Sequence, residues 1–161
     1  MADLRVPLPD RLPLSAIKDR SVPLSKFEKA YLRVTSTAVQ SMINGTTAMT
    51  FNRIDAQLNC TWDGSNVTGL PGGLYMWGAS LELSAFTGAS QLGTKSAVSV
   101  YDYRYADTTS PVSAARMLSL SCVGLARPAD LVGISLWQNS GAAVNTVLGA
   151  NYPSFWIVRI T

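Results

Sequence analysis

The chain has 161 residues, 47% of them hydrophobic and only 14% charged, with a net charge of +3 and no histidine. That length suits one domain with a real core, and the charge content lies well below the roughly 25% usual in soluble domains, so part of the surface is expected to lie against other copies or other proteins. Without imidazole, Ser-His-Asp and Cys-His nucleophilic systems and His-containing metal sites are excluded, and no apolar run approaches the ~20 residues a membrane span requires.

Residues 1–33 read as an arm. They carry seven Lys/Arg (Arg5, Arg11, Lys18, Arg20, Lys26, Lys29, Arg33) against four Asp/Glu (Asp3, Asp10, Asp19, Glu28), while residues 34–161 hold six of each sign. The whole net charge therefore sits in the arm. Phosphate neutralisation favours dense Lys/Arg without acids, so the interleaved acids argue against a nucleic-acid partner. Prolines recur in short units: Val6-Pro7-Leu8-Pro9, Leu12-Pro13-Leu14-Ser15 and Val22-Pro23-Leu24-Ser25. Proline fixes its own φ and pushes the preceding residue toward extended backbone. Each unit should be an extended peptide that cannot fold alone but can lie in a partner's groove. The candidate docking residues are Val6, Pro7, Leu8, Leu12, Pro13, Leu14, Val22, Pro23 and Leu24. The first residues mix Asp3, Arg5 and Pro7 with apolar ones and do not read as a signal peptide.

Ser25 followed by Glu28 fits a capping box. Phe27, Ala30, Tyr31 and Val34 fall at i, i+3, i+4, i+7, which predicts a short helix near 26–33 closing the arm. From residue 34 the period becomes two. Tyr75, Trp77, Ala79, Leu81 and Leu83 alternate with Met76, Gly78, Ser80 and Glu82. Leu118, Leu120 and Cys122 alternate with Ser119 and Ser121, and Val132, Ile134 and Leu136 with Gly133 and Ser135. Each is the pattern of a half-buried strand. Turn signals separate the runs: Asn44-Gly45, Asp63-Gly64, Pro71-Gly72-Gly73, Ser110-Pro111, Arg127-Pro128 and Asn139-Ser140-Gly141. Many short strands between such turns predict a β-sandwich. The last strand, Phe155-Trp156-Ile157-Val158, is apolar on both faces. In a small antiparallel sandwich that points to a subunit interface.

Little else reads as chemistry. Gly88-Ala89-Ser90-Gln91-Leu92-Gly93-Thr94-Lys95-Ser96 resembles a phosphate loop, but Thr94 separates the glycine from the lysine and the strand-like Ala97-Val98-Ser99-Val100 follows in place of a helix. It is expected to be a hairpin loop. The carboxylates Asp55, Asp63, Glu82, Asp102, Asp107 and Asp130 show no spacing that demands catalysis. Cys60 and Cys122 are too few for a disulfide framework or a zinc site; a single bridge between them stays open. Tyr101-Asp102-Tyr103-Arg104-Tyr105 puts alternate tyrosines on one strand face, either as a receptor surface or packed between subunits.

Three segments carry a resemblance. Gly69-Leu70-Pro71-Gly72-Gly73-Leu74-Tyr75-Met76-Trp77 resembles the Gly-aromatic strand of C1q/TNF-like jelly rolls. Asp130-Leu131-Val132-Gly133-Ile134-Ser135-Leu136-Trp137-Gln138-Asn139-Ser140-Gly141-Ala142 resembles their Gln-Asn-Ser-Gly hairpin, with Pro128-Ala129 where glycine is more usual before the aspartate. Phe155 through Ile160 resembles their closing strand. Over residues 34–161 the resemblance implies a ten-stranded antiparallel jelly roll assembled as a tight trimer, and the family's bacteriophage members are fibre-tip, minor tail or capsid-surface modules. No collagen-like Gly-X-Y stalk precedes it.

The expectation is an all-β jelly-roll sandwich at 34–161 on an extended arm at 1–33, with no cofactor, no catalysis and no membrane insertion. Tyr75, Val132, Ile134, Leu136 and Phe155 are assigned to the core. Trp77, Trp137, Trp156 and Val158 are assigned to the trimer interface. Tyr101, Tyr103 and Tyr105 are the candidate receptor surface for a host glycan or protein. The expected function is that of a phage virion protein, on tail or head, whose arm grips other virion proteins: a minor tail or short-fibre adhesion module. The alternatives are a capsid decoration trimer and a secreted carbohydrate-binding module.

Overall fold

Alternation places most of the strands, and long-range pairing decides the regions where the sequence points elsewhere. The computed structural model describes residues 28–96, 103–149 and 153–161; the docking residues of the arm and Tyr101 lie outside them. The expected helix does not form over the described part of 26–33. Tyr31 instead opens strand β1 (Tyr31–Thr35). Leu32 and Val34 are buried while Tyr31 and Arg33 are exposed. β1 is paired antiparallel on both edges, with β11 (Ser154–Arg159) and with β4 (Arg53–Leu58). Two ladders satisfy its backbone polar groups, whereas two turns of helix are marginal alone. The domain therefore starts before residue 34. Ala30 is buried, and the Lys29 carbonyl accepts from Asn59 Nδ2 at 2.8 Å.

Two strands of 24 residues organise the rest, β7 (Gly73–Ser96) and β8 (Tyr103–Ala126). The first half of β7 pairs with β11 and with the second half of β8. With β1 and β4 these make the first layer. The second half of β7 pairs with β9 (Val132–Gln138) and with the first half of β8. β9 also pairs with β3 (Gly45–Ala48) and β6 (Asn66–Thr68), and β6 with β5 (Thr61–Trp62), completing the second layer. β10 (Val144–Val147) bridges β2 (Ser41–Met42) and β7. Every pairing is antiparallel and the described residues contain no helix. Eleven strands are present among them, against the ten implied by the resemblance.

The register shifts at Leu83, Phe86 and Gly88, where β7 exchanges partners in the first layer for β9 in the second. Two expected loops fall inside these long strands. Residues 88–96 are strand, not a hairpin loop, because β8 and β9 flank them. Ser110-Pro111 is not a turn between strands. It lies within β8, where the ladder jumps from Gly88↔Ser110 to Phe86↔Ala114. Proline has no N–H to give a ladder, so a break in pairing is where it fits.

The core lies between the layers. Tyr75, Val132, Ile134, Leu136 and Phe155 are all buried in it. An aromatic trio closes one part, with Phe51, Trp62 and Phe155 ring centroids 5.9–6.2 Å apart. The Trp62 indole N–H donates to the Phe51 carbonyl at 3.0 Å. A buried indole N–H normally takes such a partner.

Candidate functional site

The outer face of the first layer is built by the side chains that alternation leaves out of the core. Register places Leu58, Tyr31, Val158, Met76 and Val123 side by side across β4, β1, β11, β7 and β8. Four of them are exposed, Val123 by 53%, and Val158 is half-buried. Below this row stand Ile160, Leu74 and Leu125: Leu74 pairs with Leu125, and the Ile160 N–H donates to the Leu74 carbonyl at 2.7 Å. Above it run Ala56, Arg33, Trp156, Gly78 and Ser121, then Thr35, Ser154, Ser80 and Ser119. The face thus grades from an apolar foot to a hydroxyl-rich waist. A charged cluster sits toward the β4 edge, where Asp55 takes Arg53 Nε at 2.8 Å and Arg33 Nε at 3.8 Å.

Arg159 fixes the foot. Its guanidinium donates to the Glu28 carbonyl at 2.7 Å, the Gly72 carbonyl at 2.5 Å and the Thr161 carbonyl at 3.1 Å. The chain entering β1, the turn before β7 and the end of β11 are thereby tied together. Gly73 is required beneath this clamp, since a Cβ there would lie 2.6 Å from Arg159 Nε.

The four residues assigned to an interface are not brought together. Trp156 and Val158 share the outer face of the first layer. Trp77 does not: it is 4% exposed and packs in the core, its ring occupying the space over Gly124. It has the strand parity of Tyr75, which decides the matter. Trp137 is half-buried and has the parity of Ser135, so it points out of the second layer, between Thr46 and Gln91. Of the tyrosines, Tyr103 pairs with Thr94 in the backbone register, and Tyr105 falls at a register shift.

The residues of the Gln-Asn-Ser-Gly segment hold loops. Gln138 is fully buried; its amide donates to the Met42 carbonyl at 3.1 Å and the Ala142 carbonyl at 2.8 Å, and accepts from the Ser140 N–H at 2.7 Å. Asn139 Oδ1 accepts from the Ala89 N–H at 2.6 Å, beside the bend at Gly88. Gly141 has φ 79° and donates to Asn44 Oδ1 at 3.0 Å. The aspartates are similarly occupied. Asp130 accepts from the Arg127 N–H at 2.9 Å. At Asp63 the slight burial acts upward, but hydrogen bonds from Ser65 and Asn66 outweigh it and hold the carboxyl below its usual range. Cys60 and Cys122 are free thiols. Burial pushes Cys122 up to about 11, with a Thr94 hydrogen bond opposing it, and also raises Cys60. Among the described residues no group of three or more Cys, Asp or Glu is placed to hold a metal ion.

No protein-family signature and no curated protein sequence matches this chain. Solved structures do. Murine APRIL superposes with a TM-score of 0.65 at 11% identity, over 83% of this chain and all of that one. Eiger TNF from S. frugiperda gives 0.58 at 10% identity, over 84% and 93%. The globular domain of zebrafish complement 1qA gives 0.58 at 14% identity, over 82% and 98%. At such identities the likeness concerns architecture alone, and it agrees with the two layers, the antiparallel ladders and the long β7–β8 pair described above: the chain has a C1q/TNF-like jelly-roll fold.

Proposed function

We propose that this chain is a non-enzymatic structural protein of a bacteriophage particle. In this reading it is a homotrimer on the particle surface, held by its arm at 1–33 and meeting the host as a minor tail or short-fibre component. One observation carries the self-association: the apolar row Leu58, Tyr31, Val158, Met76 and Val123 on the outer face of the first layer. The outer face of an antiparallel sandwich ordinarily meets water through polar side chains. Contiguous apolar surface there marks an interaction site. The jelly-roll resemblance favours three copies. The particle context rests on the arm's Pro-Leu units and basic excess; Glu28, the first described residue, is held at the same foot by Arg159.

Native mass spectrometry at micromolar concentration tests the assembly: a three-copy mass is expected, and a monomer alone would end the reading. Antibodies to residues 34–161, viewed on intact particles by electron microscopy, test the context. Label at the tail supports an adhesion role. Label over the head assigns the chain to capsid decoration instead, and unlabelled particles remove the virion role.

A further inference from the structure

We propose that the outer face of the second layer binds a neutral glycan, with a sugar ring stacked on Trp137. The inference rests on the host-contact reading above for its purpose, and on this face alone for its geometry. Register lays the face out in three rows. Thr46, Trp137 and Gln91 make the first, Ala48, Ser135 and Gly93 the second, and Asn66, Gly133 and Lys95 the third. Trp137 is half-buried between its neighbours, so the indole is held in place with part of its surface open. The second row has no side chain larger than serine and makes a low floor beside the ring. The far end is closed: a Cβ at Gly133 would lie 2.6 Å from Asn66 Oδ1 and 2.8 Å from the Ser65 carbonyl oxygen. The result is a trough four strand residues long, about 13 Å, with an aromatic wall and an amide wall.

The chemistry of the trough selects its occupant. A pyranose presents an apolar C–H face and a rim of hydroxyls, and an indole covers such a face. Thr46 and Ser135 carry hydroxyls that both donate and accept. Asn66 Nδ2 donates to Asp63 Oδ2 at 3.2 Å, and its Oδ1 is turned over Gly133 as an acceptor. None of the described side chains in the three rows is charged, so they supply no counter-charge to an ionic ligand. A protein partner is a poor match as well. A standard interface takes about 800 Å² from each side around an apolar centre. Among the described side chains of these rows the indole is the sole large apolar group, and one aromatic buries only about 150–250 Å². That suits a stacked sugar ring. A ring already held by the sheet also costs little ordering on binding.

The test uses the full chain in isothermal titration with neutral trisaccharides: maltotriose, cellotriose, chitotriose and galactotriose. At least one should bind, and Trp137→Ala should weaken it at least about tenfold, as truncation of an aromatic anchor does. Ser135→Gln should weaken it by a similar factor, since it fills the floor and leaves the indole in place. Both variants should keep the far-ultraviolet circular dichroism of the wild type. Trp156→Ala, on the outer face of the first layer, should leave the affinity unchanged. No response to any of these sugars, or equal affinity in Trp137→Ala and Ser135→Gln, would overturn the glycan site and leave the virion reading standing. Adenosine monophosphate binding more tightly than every sugar would overturn the ligand class. Sugar binding by a chain whose antibodies label only the head would overturn the host contact and uphold the site.

Discussion

The indole of Trp156 lies close over Gly78. A Cβ at position 78 would stand 2.7 Å from the ring and 2.6 Å from the Leu120 carbonyl oxygen. The ring could swing away, but the backbone carbonyl cannot. Gly78→Ala should therefore destabilise the fold by about 1–3 kcal/mol, the usual range for overpacking, as read from urea unfolding. Trp156→Ala removes a half-buried side chain on the outer face, so its main effect should appear in association. If Gly78→Ala leaves the unfolding midpoint unchanged, the close approach of the two residues is wrong.

Gln138 gives a second prediction. Its amide satisfies two carbonyls and one N–H around the β9–β10 loop while being fully buried. Gln138→Leu keeps much of the volume and strands all three groups. An unsatisfied buried polar group costs roughly 1–3 kcal/mol, so a loss of the order of 3 kcal/mol is expected once local water relieves part of it. Urea unfolding of the variant decides this; a change under about 1 kcal/mol would mean that the amide does not hold the loop.

Much of the first layer was legible in the sequence, because alternation tells which side chains share a face. Tyr75 to Leu83 and Leu118 to Cys122 needed nothing more. Strand parity also carried information that hydrophobicity obscured: Trp77 has the parity of Tyr75 and goes inward, Trp137 that of Ser135 and goes outward. Treating the tryptophans as one set joined residues that the fold separates. Other features depend on long-range pairing. Tyr31 and Leu58 join the outer face only because β1 inserts between β11 and β4, and the local signal at 25–34 was helical. Phe51 and Trp62 sit in or beside strands too short to show a period, so their stacking with Phe155 had no sequence signature. The Arg159 clamp joins positions 28, 72 and 161, which no local pattern connects.

The thiols provide a pH test. Thiolate, not thiol, is the nucleophile, and Cys122 is pushed from an ordinary 9.0 up to about 11 by burial. At pH 8 the folded protein should therefore alkylate at Cys122 much more slowly than the unfolded chain, as followed by mass spectrometry with iodoacetamide. The same shift acts on stability. The folded state holds this proton more tightly than the unfolded state. Its contribution is thus complete below about pH 9 and is lost as pH rises toward 11. Cys122→Ala should flatten that part of the Tm profile. Equal alkylation rates with and without denaturant would contradict the burial of the thiol.

The two outer faces of the sandwich offer a matched comparison. Met76 lies in the middle of the apolar row of the first layer, and Trp137 lies on the outer face of the second. Both are partly exposed, so substitution at either should leave the monomer folded. Desolvating an unpaired carboxylate is far costlier than exposing a thioether. If copies meet through the first layer, Met76→Glu should abolish the trimer at micromolar concentration and leave the circular dichroism intact. Trp137→Ser, which removes a larger apolar surface, should have no such effect. Sedimentation velocity on the two variants reads the difference directly. The opposite result, dissociation by Trp137→Ser alone, would move the interface to β3, β9 and β7.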